Sequence, residues 1–141
     1  SGTLGIDLEI VEPRSDAFVA DFFTASERDY VHAFADIGQR HEAANLIWSA
    51  KEAALKVQQV GLRVDTRTVE VHLTGRPRED GWAAMTVVGR DRAMPGWWRR
   101  DGVFLLTIAS DTHREPPMRL STGSNLGEAE PRHSWITNPT C

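Results

Sequence analysis

Trp48-Ser49-Ala50-Lys51-Glu52-Ala53-Ala54-Leu55-Lys56 reads as the body of an amphipathic helix. Ile47, Ala50, Ala54 and Val57 recur at helical spacing and trace an apolar stripe that buries against a core. Trp48, Glu52 and Lys56, at i, i+4 and i+8, fall close to one line on a neighbouring face. The pattern predicts a helix over about residues 41–60, ended by Gly61 as a C-cap glycine. Taken alone, Glu52 and Lys56 form a surface ion pair that contributes about 0.2–0.5 kcal/mol. Trp48 reads as a packing residue.

Working outward toward the N-terminus, Leu4-Gly5-Ile6-Asp7-Leu8-Glu9-Ile10 alternates with the two-residue period of a strand. The alternation predicts Leu4, Ile6, Leu8 and Ile10 on the buried face, with Gly5, Asp7 and Glu9 on the other. Two residues of strand rise place the two carboxylates roughly 6–7 Å apart, so both can lean toward one hard cation. Mg²⁺ takes such oxygen ligands together with waters and substrate phosphates. Taken alone, the same pair reads first as ordinary acidic residues on a solvated face.

Between these segments, Thr24-Ala25-Ser26-Glu27 has the spacing of a capping box and predicts a helix that runs to about Ile37 and stops at Gly38. Beyond the long helix, residues 68–73, 82–88 and 103–110 read as strands, the last apolar and continuous. The order strand, helix, helix, three strands predicts an α+β fold: an antiparallel sheet packed against a long helix. Residues 1–110 form the domain. Residues 111–141 read as an irregular C-terminal tail, broken by Pro116, Pro117, Pro131 and Pro139, that packs on the domain surface through Trp135 and Ile136 or docks a neighbour.

Gly-Ile-Asp-Leu-Glu at 5–9 followed by Trp-x-x-Lys-Glu-Ala-x-x-Lys at 48–56 resembles the signature of the 4′-phosphopantetheinyl transferases. It is closer to the surfactin-synthetase-activating type, through that type's C-terminal half, than to the small trimeric holo-acyl-carrier-protein synthases. Asp21-Phe22-Phe23-Thr24-Ala25-Ser26-Glu27-Arg28 and Val60-Gly61-Leu62-Arg63-Val64-Asp65 extend the resemblance, which covers about residues 4–110.

The resemblance implies a 4′-phosphopantetheinyl transferase-like fold and a division of labour. Asp7, Glu9 and Glu52 match the Mg²⁺ ligands, and Glu52 also matches the base that deprotonates a carrier-protein serine. Lys56 matches the lysine on the pyrophosphate of coenzyme A, and Lys51 counts with it as a coenzyme A-binding residue. The implied reaction moves 4′-phosphopantetheine from coenzyme A to a serine of an acyl carrier protein and releases 3′,5′-ADP.

Departures from the family pattern shape the expected partners. Surfactin-type enzymes have two similar halves, and the first supplies a Ser-His pair and basic residues for coenzyme A that have no counterpart here. The small synthases carry a Ser-x-Ser-His strand where this chain has Val103-Phe104-Leu105-Leu106-Thr107-Ile108-Ala109-Ser110. His32, His41, His72, His113 and His133 read as surface or half-buried residues. The missing wall is then completed by other copies, a homo-oligomer with a symmetric trimer as the first expectation, or by another part of a parent polypeptide. Integrated domains of this kind occur at the C-terminus of enediyne-type iterative polyketide synthases, and this chain is similar to them, with Ser1 and Gly2 as a cloning remnant. The alternative is a half-site module that binds coenzyme A or a neighbouring domain and is inactive alone.

Composition narrows the remaining classes. In 141 residues, 40% hydrophobic, there is one domain's worth of core. A formal net charge of −4 argues against general nucleic-acid binding. Arg90, Arg92, Arg99 and Arg100, interleaved with Trp97 and Trp98, are either a solvated loop whose tryptophans fold back on the sheet or a carrier-protein docking stretch. The single cysteine, Cys141, forms no internal disulfide. With no membrane-length apolar run and no signal segment, the sequence fits a cytoplasmic protein.

Overall fold

The computed structural model describes residues 3–58, 65–90 and 92–112. The expected C-cap at Gly61, the tail from 113 onward, His113, His133 and Cys141 lie outside the described residues. The chain runs through strand β1 (Leu4–Ile10), helices α1 (Asp16–Phe22), α2 (Ala25–His32) and α3 (Ile37–Val57), a 3-10 turn (Thr66–Thr68), and strands β2 (Glu70–His72), β3 (Ala83–Val88), β4 (Ala93–Asp101) and β5 (Phe104–Ser110). The strands form one antiparallel sheet in the order β1-β5-β4-β3-β2, so the N-terminal strand closes one edge of a C-terminal meander. The α+β class expected from the sequence is the class observed, with the 21-residue α3 lying across β1 and β5.

Local chemistry sets the helix boundaries. The Thr24 side chain accepts from Glu27 N while Glu27 Oε1 accepts from Thr24 N, the reciprocal capping box at the start of α2. That helix ends at His32, five residues before the expected stop. The reason lies at Asp36, whose Oδ2 accepts from Gln39 N at 2.9 Å and caps α3. Gly38 therefore sits inside the first turn of α3 rather than terminating α2. Helix α1 was not expected; Ser15 caps it by accepting from Phe18 N at 3.0 Å.

Strand β4 corrects the reading of residues around Trp97 and Trp98 as a loop. Pro95 and Gly96 disguise it, because both are poor strand residues. Gly96 has a packing reason: a Cβ there would lie 2.4 Å from the Ile108 carbonyl oxygen on β5.

The orientation of β1 is also the reverse of the expected one. Gly5, Asp7 and Glu9 face α3 and are buried, Asp7 at 3% and Glu9 at 8% exposure. Leu4 and Ile6 point to the other side and are 43% and 50% exposed. The cause is close approach: a Cβ on Gly5 would stand 1.8 Å from the Ala53 carbonyl oxygen, so only glycine lets α3 settle onto this face. Ala50, Ala53 and Ala54, all fully buried, supply the matching shallow surface on the helix.

Because the obstructing atom is backbone, Gly5→Ala must push α3 off β1. The expected result is a loss of at least about 2 kcal/mol, read as a lowered melting temperature. An unchanged melting temperature would show that α3 is not seated on Gly5.

Candidate functional site

The contact between β1 and α3 that Gly5 permits gathers the carboxylates. Asp7 Oδ2 accepts from Ser49 Oγ at 2.8 Å, and its Oδ1 lies 3.3 Å from Lys56 Nζ. The same ammonium donates to the Ile6 carbonyl at 2.7 Å and stays about one third exposed. Glu9 lies two residues further along β1, and Glu52 lies half-buried one turn before Lys56 on α3. Helical spacing on α3 and the two-residue strand period on β1 thus converge at one crossing.

The charges of these groups act on one another. Burial raises Asp7 above the usual carboxylate range, outweighing the Ser49 hydrogen bond and the Lys56 charge that favour its ionised form. Glu9 is pushed up to about 8, first by burial and then by the negative charge of Asp7, with Arg14 opposing. Glu52 is raised by burial and by Asp7, and Lys56 opposes. Three carboxylates therefore share a site in which their own cations do not offset their desolvation and repulsion.

Lys51 does not join this cluster. One residue along a helix turns the side chain by about 100°, which sends Lys51 into the core. Its ammonium donates to Glu27 Oε1 at 2.7 Å, Thr66 O at 2.8 Å and Val69 O at 2.6 Å. Those three partners use all three ammonium protons, and both side chains of the pair are 0% exposed. The placement of Lys51 on coenzyme A is corrected accordingly: in this fold it ties α2, α3 and the start of β2 together. Trp48 packs as expected, with its ring centroid 5.1 Å from Phe18 and 5.4 Å from Phe22.

Four residues around the site were not singled out from the sequence. Ser49 and Thr107 form a buried hydroxyl pair behind Asp7. Asn45, also buried, holds the chain after β1 by donating to Glu12 O and accepting from Arg14 Nε at 3.0 Å. Arg14 thereby flanks the Glu9 end of the cluster, opposite Lys56. A hydroxyl in the middle of the apolar strand β5 and an amide at helical spacing from Ser49 were the available signals.

The arginine-tryptophan stretch is engaged internally. Arg99 pairs with Asp101 at 3.0 Å, Arg100 pairs with Glu42, and the Arg78 guanidinium lies 5.7 Å from the centre of the Trp97 ring. His32 lies near Asp16, His72 near Glu70, and His41 accepts from Arg14 N. Among the described residues, no helix is long and apolar enough to cross a membrane.

Among the described residues, no three His, Cys, Asp or Glu side chains stand in position to enclose a metal ion in this conformation. Asp7 Oδ1 faces the Lys56 ammonium instead. The donor set is nonetheless all carboxylate oxygen, without imidazole or thiolate, which suits a hard divalent cation. Its uncompensated charge is what such a cation would relieve.

The fold is thus an antiparallel sheet crossed by one long helix, with three carboxylates and a lysine near the crossing. A family model of the 4′-phosphopantetheinyl transferase superfamily matches residues 3–85, from the start of β1 into β3, and the chain belongs to that superfamily. Membership makes it a transferase of the phosphopantetheinyl type. No individual curated protein matches the chain.

Proposed function

We propose that this chain transfers the 4′-phosphopantetheine group of coenzyme A to a serine of an acyl carrier protein, with Mg²⁺ held by Asp7, Glu9 and Glu52. The observation that carries the reading is the convergence of those carboxylates with Lys56 at the β1–α3 crossing, in a member of this superfamily. A cation held there would supply charge neutralisation at the pyrophosphate. Lys56, turned from Asp7 toward solvent, adds its charge to the same pyrophosphate. Glu52 accepts the proton of the serine hydroxyl, and its raised pKa makes it a stronger base than an ordinary carboxylate. The serine oxygen bonds to the β-phosphorus, the bond from that phosphorus to the bridging oxygen breaks, and 3′,5′-ADP leaves.

The same arrangement supports a partner-completed site. The apolar outer side of β1, with Leu4 and Ile6 half exposed, is a surface that association would cover. A homo-oligomer, a trimer first, or a parent synthase of the polyketide type that also carries the acyl carrier protein would provide the second wall. The setting is then cytoplasmic, where coenzyme A is at hand. Intact-mass spectrometry of an apo carrier protein with this chain, coenzyme A and Mg²⁺ tests the reading. A phosphopantetheine mass gain lost with EDTA establishes it. No gain from folded protein across several carrier proteins leaves the half-site module, needing its partner, as the better description.

The raised carboxylates give a pH prediction with a definite sign. Between about pH 4.5 and 8 the folded chain holds protons on Glu9 that the unfolded chain has released, so stability falls as pH rises through that window. Without divalent metal, the melting temperature is expected to drop by about 5 °C from pH 5 to pH 8.5. Millimolar Mg²⁺ should return most of that loss at pH 8.5 and none at pH 5, because only ionised carboxylates bind it. A melting temperature that rises with pH, or an equal effect of Mg²⁺ at both values, would contradict the carboxylate assignment.

A further inference from the structure

Behind the carboxylates lies a pair of groups that neither ionise nor reach solvent. Ser49 on α3 and Thr107 on β5 are both 0% exposed. Ser49 Oγ lies 2.8 Å from Asp7 Oδ2 and 2.8 Å from Thr107 Oγ1, and Thr107 Oγ1 is also 3.1 Å from the Ser49 carbonyl oxygen. Thr107 is the residue directly opposite Asp7 in the β1–β5 register, so strand pairing itself brings the two side chains to one face.

Three contacts share two hydroxyl protons, and that shortage fixes their directions. An ionised carboxylate oxygen only accepts, so the Ser49 proton goes to Asp7 Oδ2. The Thr107 proton then goes to Ser49 Oγ or to the Ser49 carbonyl, and in either case Ser49 remains aimed at Asp7. With Oδ2 engaged, Oδ1 is left on the side where Lys56 stands. The terminal torsion of an aspartate is broad and roughly two-fold, so without this pair only the 3.3 Å contact from Lys56 Nζ to Oδ1 would orient the carboxylate.

The geometry points to Ser49 and Thr107 as positioning residues that present Asp7 Oδ1 to the divalent cation. This rests on the metal reading given above. Thr107 lies beyond the residues matched by the family model, so that match gives it no role. A purely structural hydroxyl pair would bury its polar atoms only against each other or the backbone; here, besides the Ser49 carbonyl, the donors reach Oδ2 of Asp7, the carboxylate assigned to the cation.

The test measures Mn²⁺ binding to the full 141-residue chain by the electron paramagnetic resonance of free Mn²⁺, with metal-free thermal unfolding recorded alongside. Wild type is compared with Asp7→Asn, Ser49→Ala, Thr107→Val and Thr107→Ser. Loss of an outer-shell partner weakens metal binding by about 10–100-fold. That range is expected for Ser49→Ala and its lower end for Thr107→Val. Thr107→Ser, which keeps the hydroxyl, should return to within about twofold of wild type by the same reasoning. Metal-free coenzyme A binding should not change in any of the three hydroxyl variants. If Thr107→Val fails to fold, Ser49→Ala and Thr107→Ser decide the question. Wild-type affinity in Ser49→Ala, or a loss in Thr107→Ser equal to that in Ser49→Ala, overturns the positioning role while Asp7→Asn still reports the metal site. Absence of Mn²⁺ binding by wild type, or unchanged binding by Asp7→Asn, overturns the metal reading and this inference with it.

Discussion

Glu52→Gln is expected to abolish phosphopantetheine transfer while making the free protein slightly more stable. The two effects have one origin. Glu52 is half-buried beside Asp7, and burial and that neighbouring charge both raise its pKa. Near neutral pH its ionised form therefore opposes folding, and a neutral amide of the same shape removes that opposition. No hydrogen bond among the described residues holds its carboxylate, so the substitution strands no partner. Transfer, by contrast, would on the proposed reading lose both a ligand for the cation and the base for the serine proton. General-base help alone is worth about 10²–10⁴-fold, and the combined loss should exceed about 10³-fold. Asp7→Asn should lose as much activity. Glu9→Ala should be milder, because a water can fill a vacated Mg²⁺ position. Activity of Glu52→Gln within tenfold of wild type would remove it from the chemistry. A fall in its melting temperature would show that the carboxylate holds the fold together.

Periodicity alone put Asp7 with Glu9 on one face of β1 and Glu52 with Lys56 on one face of α3, because spacings of two and four follow from backbone geometry. It left both pairs readable as ordinary surface charges, and the roles proposed for them came from the resemblance to the family. What periodicity does not carry is the side from which a helix arrives. Leu4, Ile6, Leu8 and Ile10 looked like the buried face of β1, yet one missing Cβ at Gly5 brought α3 onto the acidic face. Thr107 was hidden for a related reason: its role depends on the pairing of β1 with β5, about one hundred positions apart in sequence. Capping explains the helix boundaries in both directions. The Thr24–Glu27 box announced α2, whereas Asp36, three positions before Gln39, was passed over because Gly38 looked like a stop. Strand β4 was concealed by Pro95 and Gly96, whose fitness for the sheet depends on neighbours that the local sequence does not show.

Lys51→Met is expected to produce the largest loss of stability of any substitution in the signature motif, with little effect on coenzyme A binding. Lys51 and Glu27 are completely buried, and the lysine pKa is lowered chiefly by that burial, against the pull of Glu27. Glu27 has further duties: Oε1 accepts from Thr24 N at 2.8 Å, and Oε2 from Val71 N at 2.6 Å. Removing the ammonium leaves a buried carboxylate without its counter-ion and frees the carbonyls of Thr66 and Val69. Breaking a buried pair from one side costs about 3–5 kcal/mol, which for a chain of this size lowers the melting temperature by about 10–15 °C. Glu27→Gln combined with Lys51→Met should recover part of that loss, because the amide removes the orphaned charge and keeps an oxygen for one backbone N–H. A ligand role predicts the opposite pattern: a small change in melting temperature, weaker coenzyme A binding, and no benefit from altering Glu27. Since Lys51 and Glu52 are adjacent in sequence, the contrast between their variants isolates the turn of α3 that sends one side chain to the core and the other to the carboxylates.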